Sequence, residues 1–314
     1  MQLEEARVQF VEWLQLTKGL SPHTVRAYGG DVAALQRYLG AGFDVRRLSQ
    51  PSIEAVIKGQ RASGLSEASM IRRIAGIRGF LSWLVTSGLV PSHAVPRISL
   101  RYRRPRRLPR PVPRTELNRL LVHLRRSAGL TGEEERVALS RPHETTTLIA
   151  VGLMLSAGVR VGEVVGIHCA HLDIKDASVR VMGKGSRERT VYFPDRWLQS
   201  LLSAYLLSRK ELAIEHPYLL FKRDGTPMTS PAIRGRLAQA SRAAGLVQTV
   251  TPHMLRHSAA TELIASGVDI RYVQRLLGHA SITTTELYTH VSDSMLRRAI
   301  AQAQVLESCF AMDN

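Results

Sequence analysis

"TPHMLRHSAATEL", residues 251–263, sets His253 and His257 four positions apart with Arg256 between them. Thr251 is a good N-cap and Pro252 suits the first helical position, so the stretch reads as the start of a helix. On that helix His253, Arg256 and His257 share one sector, while Leu255, Ala259 and Leu263 occupy the next. A cationic sector bordering an apolar stripe can face a cleft. Three readings compete: a zinc pair, an anion site, and a solvated polar face. A zinc-protease helix carries H-E-x-x-H, whereas here the order is H-M-L-R-H, without the glutamate and with a cation that repels a metal ion. The free N–H groups and dipole of a helix start favour an anion instead. The stretch therefore weighs towards a phosphate.

The whole chain agrees with an anionic partner. Its 314 residues allow one large or two ordinary domains. A net charge of +17 favours a polyanion, nucleic acid above all, with an anionic membrane surface as the competitor. No apolar run approaches the roughly 20 residues of a membrane helix. The first residues, "MQLEEARVQF", are charged and acidic, unlike a secretory signal. Cys169 and Cys309 have neither pairing nor metal-ligand spacing, so a reducing cytoplasm is expected, with both as small apolar residues.

Residues 1–100 read as a small helical bundle. Val8, Val11, Trp13, Leu14 and Leu16 suit a first helix. A second follows Ser21 and Pro22, with Val25, Tyr28, Val32, Leu35 and Leu39 at helical spacing and Gly40 as its stop. Two more are expected near 51–62 and 66–87. "RYRRPRRLPRPVPR", residues 101–114, then holds seven arginines and four prolines. Proline blocks helix and ladder and like charges extend the chain, so this is a linker. Arg101, Arg103, Arg104, Arg106, Arg107 and Arg110 are its candidate phosphate contacts.

A second domain is expected over 115–292. Its helices fall at 115–127, 144–156, 195–214, 230–244, 252–266, 269–277 and 282–290. A β-hairpin turns at the Gly-Lys-Gly-Ser of "ASVRVMGKGSRERTVYF". The polar "TGEEERVALSRPHET", 131–145, reads as a loop or short helix. Residues 293–314 form an amphipathic helix with Leu296, Ile300, Ala303 and Leu306 on one side. The fold class is mainly α with a small β-hairpin or sheet, a helical bundle followed by an α+β domain.

Four motifs in order carry a resemblance. "AGVRVGEVV", "GKGSRER", "HMLRHSAAT" and "LGHASITTTELYTH" resemble those of the tyrosine recombinase, or phage integrase, superfamily, and the N-terminal bundle resembles its SAM-like core-binding domain. The layout is similar to the Xer type, except that residues 129–145 make the chain longer than compact members. The resemblance implies that Arg160, Lys184, His253, Arg256 and His279 surround a scissile phosphate and that Tyr288 is the nucleophile, giving a 3′-phosphotyrosyl link. It also implies a supporting role for Glu163, which orients a neighbour, and for His257. No metal or cofactor is implied. The implied partner is duplex DNA with a specific site, held by a homo-tetramer or a hetero-tetramer with a paralogue, and the C-terminal helix docks on a neighbouring subunit or packs on its own domain. A type IB topoisomerase-like activity and a non-catalytic DNA-binding role are the alternatives.

The residue chemistry runs the same way. Two guanidiniums can clamp nonbridging oxygens as charge develops. A tyrosine of pKa about 10 needs a base, the role of His253. Lys184 at a turn tip suits the acid that protonates the departing 5′-oxygen, and His279 donates to the phosphate. Affinity for duplex DNA, measured between about 50 and about 200 mM salt, is expected to fall roughly a thousandfold or more. An affinity indifferent to salt contradicts this reading of the charge.

Overall fold

The computed structural model describes residues 1–94, 111–130, 141–183, 188–278 and 293–310. The chain divides into two compact units, Met1–Arg107 and Leu108–Asn314. Arg101, Arg103, Arg104, Arg106, Arg107 and Arg110 lie outside the described residues.

The first unit holds four helices: α1 (Leu3–Leu16), α2 (Pro22–Leu39), α3 (Gln50–Ala62) and α4 (Glu67–Thr86). Serine begins three of them. Ser21, Ser49 and Ser66 each accept a backbone N–H of the first turn, from Thr24, Ser52 and Ser69. Buried Val25, Val32 and Leu35 of α2 meet Ile74, Ile77, Phe80, Leu81 and Leu84 of α4 in one core. The α1 face differs from the expected one. Leu14 is buried as expected, but Val8 and Leu16 are exposed, and Leu3, Ala6 and Phe10 are buried instead. The reason is Phe10, whose ring meets Phe80 edge-on at 5.3 Å and Trp83 at 5.6 Å and so fixes the rotation of the helix.

The second unit is built around α6 (Pro142–Ser156), buried on every side from Thr145 to Ser156. "TTTLIAVGLMLS" is apolar or hydroxylated all round, which suits a helix with protein on all faces. It begins at Pro142, two residues before the expected start at 144, and so takes in the end of the stretch read as a loop or short helix; residues 131–140 lie outside the described ones. Packed on α6 are α5 (Arg114–Ser127), the short α7 (Val161–Val165), α8 (Arg196–Glu211), α9 (Ser230–Ala243) and α10 (Pro252–Ala265). The hairpin strands β2 (Ser178–Met182) and β3 (Glu188–Tyr192) gain an outer strand, β1 (Leu172–Asp173), in an antiparallel sheet of order β1-β2-β3. Val179 pairs with Val191 and Val181 with Arg189. Then come α11 (Ile270–Leu277), α12 (Asp293–Ala303) and α13 (Val305–Phe310). The helix expected at 282–290 lies outside the described residues.

Two details shift the expected boundaries. Residues 112–114, read as linker from composition, are tied to the second unit: the Val112 N–H donates to Ser258 Oγ at 2.9 Å, and Arg114 pairs with Glu262. The C-terminal segment is two helices, broken at Gln304 (φ 42°). Leu296, Ile300, Ala303 and Leu306 do share a face, and they are buried on their own unit, α12 against α10 and α13 against α5, α6 and α10. This packing removes them from water. Arg297 pins α12 to the sheet, pairing with Asp176 and lying 5.3 Å from the Tyr192 ring centroid.

In the first unit Asp31 of α2 is buried beside α4, 2.8 Å from Arg72. Burial raises its carboxyl above the ordinary range, against the pull of Arg72 and Arg73. The carboxylate fits because Gly76 has no side chain: a Cβ there would lie 2.5 Å from Asp31 Oδ2. Gly76→Ala is therefore expected to cost about 1–3 kcal/mol, seen as a lower Tm. Gly79→Ala on the same helix, where a Cβ would meet Tyr28 at 3.7 Å, is expected to leave Tm unchanged or raise it. Equal Tm values for the two variants contradict this account of Asp31.

Candidate active site

The cleft of the second unit has a volume of about 750 Å³ and is lined by Arg160, Glu163, His253 and Arg256 together with Arg234, Met182 and Gly183. Four segments far apart in sequence deliver these groups, α9 supplying Arg234. Arg160 is the N-cap of α7, immediately after the turn that ends α6. His253 and Arg256 stand on the first turns of α10, started by Thr251, which accepts the Met254 N–H. Gly183 closes β2. His253 is exposed at the cleft, whereas Arg256 is only 5% exposed. His257 is half-buried and does not line the cleft, so the pair that resembles a zinc site is split between two environments. Lys184, His279 and Tyr288 lie outside the described residues.

A buried carboxylate organises the arginines. Glu163 accepts the Arg160 backbone N–H at Oε2 and Arg160 Nη1 at Oε1, both at 2.8 Å. Arg189 of β3 grips the same two oxygens, Nη1 to Oε1 at 2.9 Å and Nη2 to Oε2 at 2.8 Å. Burial by itself pushes the Glu163 carboxyl up. The hydrogen bonds from Arg189 and the Arg160 backbone outweigh it, and the acid is held at about 2.

The guanidiniums then converge on the end of α11. Arg189 Nε donates to the Leu276 carbonyl at 3.2 Å, Arg256 Nη2 to that of Leu277, and Arg160 Nη2 to that of Gly278 at 3.3 Å. Arg256 Nη1 also donates to the Gly158 carbonyl at 2.7 Å. Carbonyls at a helix C-terminus lack helical partners and carry the negative end of the dipole, so they suit cations. Gly278 takes the left-handed conformation (φ 59°) that ends α11, and Arg189 lies against its Cα, where a Cβ would come within 3.2 Å of Nε. Burial, and then the charge of Arg160 with a smaller push from Arg189, lowers Arg256 to about 10 despite Glu163, so it is still a cation at neutral pH. A site with this much positive charge and one internal carboxylate is matched to an anion, and the Arg160 side chain is 42% exposed.

Two lining or supporting residues escape a reading of motifs. Arg234 on α9 is one of many exposed arginines, with no signal of its own. Arg189 does carry one: it alternates with Val191 across from Val179 and Val181, which places a cation at an inward position of the sheet.

The chain belongs to the phage integrase family. The profile of that family matches residues 116–295, and that of the phage integrase N-terminal SAM-like domain matches residues 8–88. The tyrosine recombinase XerC of Mycobacterium sp. (strain JLS) is 32% identical over 306 residues, covering 96% of this chain and 99% of the relative. XerC of Yersinia pestis is 31% identical over 288 residues, 90% and 88% of the two chains. The fold is that of a lambda integrase fragment bound to a core site (TM-score 0.66, 18% identity, 90% of this chain and 97% of that one). It is also that of XerH bound to its difH substrate (TM-score 0.65, 19% identity, 93% and 83%). No helix among the described residues is long and apolar enough to cross a membrane.

The depressed Glu163 acid links the cleft to stability. Its folded value of about 2 lies below the ordinary 4.5, so its contribution is complete above pH 4.5 and is lost as pH falls through about 2. Glu163→Gln removes this dependence. Urea unfolding at successive pH values between about 4.5 and about 2 is expected to give a flatter stability profile for the variant; a profile as steep as that of the wild type contradicts it.

Proposed function

We infer that the protein is a tyrosine-type site-specific DNA recombinase. One observation carries this reading: the XerC match runs nearly end to end, through both units, on a chain whose cleft joins Arg160 to Arg256 from segments 96 positions apart (256 − 160). That match favours recombination over topoisomerase-like relaxation or an accessory binding role.

The reaction assigns each group a step. Arg160 and Arg256 hold the nonbridging oxygens of one phosphodiester and neutralise the charge that grows during attack. Tyr288 Oη attacks phosphorus, and His253, exposed at the cleft, takes its proton. The bond from phosphorus to the 5′-oxygen breaks, with Lys184 protonating that oxygen and His279 donating to the phosphate. A 3′-phosphotyrosine and a free 5′-hydroxyl result. One ester replaces another, so no ATP is required, and attack by the partner strand's 5′-hydroxyl reverses the step. The charged groups that balance the phosphate are arginine and lysine, so no metal cofactor enters the scheme.

Exchange of two duplexes cuts four strands and calls for four nucleophiles, hence a tetramer on DNA. A lambda integrase tetramer bound to a Holliday junction has the same fold, with a TM-score of 0.66 at 17% identity. Within such an assembly the arginines of 101–110 are proposed to contact phosphates, His257 supports α10 from outside the cleft, and the cytoplasm is the proposed compartment.

Sheared DNA from the source cell, incubated with the protein and washed under denaturing conditions, is expected to leave one sequence class covalently attached. Tyr288→Phe is expected to bind the same fragments and capture none. Covalent capture by Tyr288→Phe removes Tyr288 as nucleophile, and absence of capture by the wild type removes the recombinase reading.

A further inference from the structure

We propose that Arg189 is a positioning residue for strand cleavage, acting by sharing the Glu163 carboxylate so that the Arg160 guanidinium is left in place for the phosphate. The inference rests on the assignment of Arg160 as a phosphate ligand.

The geometry of Glu163 is the starting point. Its two oxygens accept Nη1 and Nη2 of Arg189 and also Nη1 and the backbone N–H of Arg160. Glu163 is 6% exposed, and a carboxylate so buried needs compensating cations. Arg189 supplies the two-pronged grip, and Arg160 needs to give it one side-chain N–H only. Without Arg189, Arg160 is the one cation among the described residues left hydrogen-bonded to the carboxylate. Arg160 then closes onto it as a full ion pair, and the guanidinium turns away from the cleft. The grip matters as well as the charge. Arg189 also donates to the Leu276 carbonyl and lies against Gly278, so it joins β3, α7 and the end of α11 through one side chain. A lysine has the charge without the planar fork and cannot make these three contacts together.

This account predicts an epistasis that a merely structural arginine does not show. If the defect of an Arg189 variant comes from an under-neutralised Glu163 capturing Arg160, then neutralising Glu163 releases Arg160 again. The probe is a nicked duplex carrying the fragment captured by the wild type, and the readout is the single-turnover rate of covalent adduct formation at saturating protein, with duplex affinity measured separately. Arg189→Met and Arg189→Lys are both expected to bind the duplex within about threefold of wild type and to cleave about a hundredfold more slowly, the scale of a misplaced reacting group. Glu163→Gln added to Arg189→Met is expected to recover at least about tenfold of the lost rate, a coupling between residues in direct contact. If Arg189→Met does not fold, Arg189→Lys with and without Glu163→Gln gives the same comparison.

Wild-type cleavage by Arg189→Lys overturns the proposal, since charge alone would then suffice. Failure of Glu163→Gln to recover any rate overturns it too, as does a loss confined to DNA affinity. These outcomes leave the recombinase reading intact, whereas a wild-type protein that forms no adduct on the probe, or a Tyr288→Phe variant that forms one, removes that reading itself.

Discussion

A carboxylate buried as deeply as that of Glu163 survives ionised only with cations and N–H groups on both oxygens. The second unit meets that requirement from two directions. Arg160 comes from the turn after α6, and Arg189 from the inner face of the sheet. Removing any of the three leaves a buried charge unbalanced. The turn that carries Arg160, the hairpin and α7 are thus held in register by electrostatics as well as by the apolar core beneath them. Hydrogen bonds to the charged form hold the acid at about 2, so this junction is ionised across the physiological range.

The same arginines accept a second constraint at the end of α11. Consecutive carbonyls of Leu276, Leu277 and Gly278 each take a guanidinium N–H. The helix end supplies partial negative charge where three cations would otherwise repel. Arg256 is still lowered to about 10, by its burial first and then by the charges of Arg160 and Arg189. The phosphate proposed for this cleft would relieve what the carbonyls and Glu163 leave over. In this way the preference of the cleft for an anion follows from the charge count of the protein groups around it.

Much of the fold is written locally. Ser21, Ser49, Ser66 and Thr251 start their helices because each hydroxyl accepts a backbone N–H that the helix leaves unpaired. Gly278 ends α11 in the left-handed conformation that a side chain resists. The face of α1 was not legible in this way. Val8 and Leu16 are as apolar as Leu3 and Ala6, and periodicity cannot rank two overlapping stripes. The ring of Phe10 in the aromatic cluster decides between them. In the same way, composition marks 101–114 as one Arg/Pro-rich run, while the contacts of Val112 and Arg114 attach its end to the second unit.

His253 and Arg256 were readable from the sequence as an anion-facing pair at a helix start, and the family resemblance supplied Arg160 and Glu163. Their motifs, in order along the chain, also carried the family. The tertiary structure alone decided which of them meet. It brought Arg160 and Arg256 to one cleft, left His257 outside it, and gave Arg189 to Glu163. The reason is physical: a residue's type and local spacing fix what it can do and which way its helix or strand turns it. The sharing of one buried charge depends on chain segments that only the folded core brings within hydrogen-bond distance.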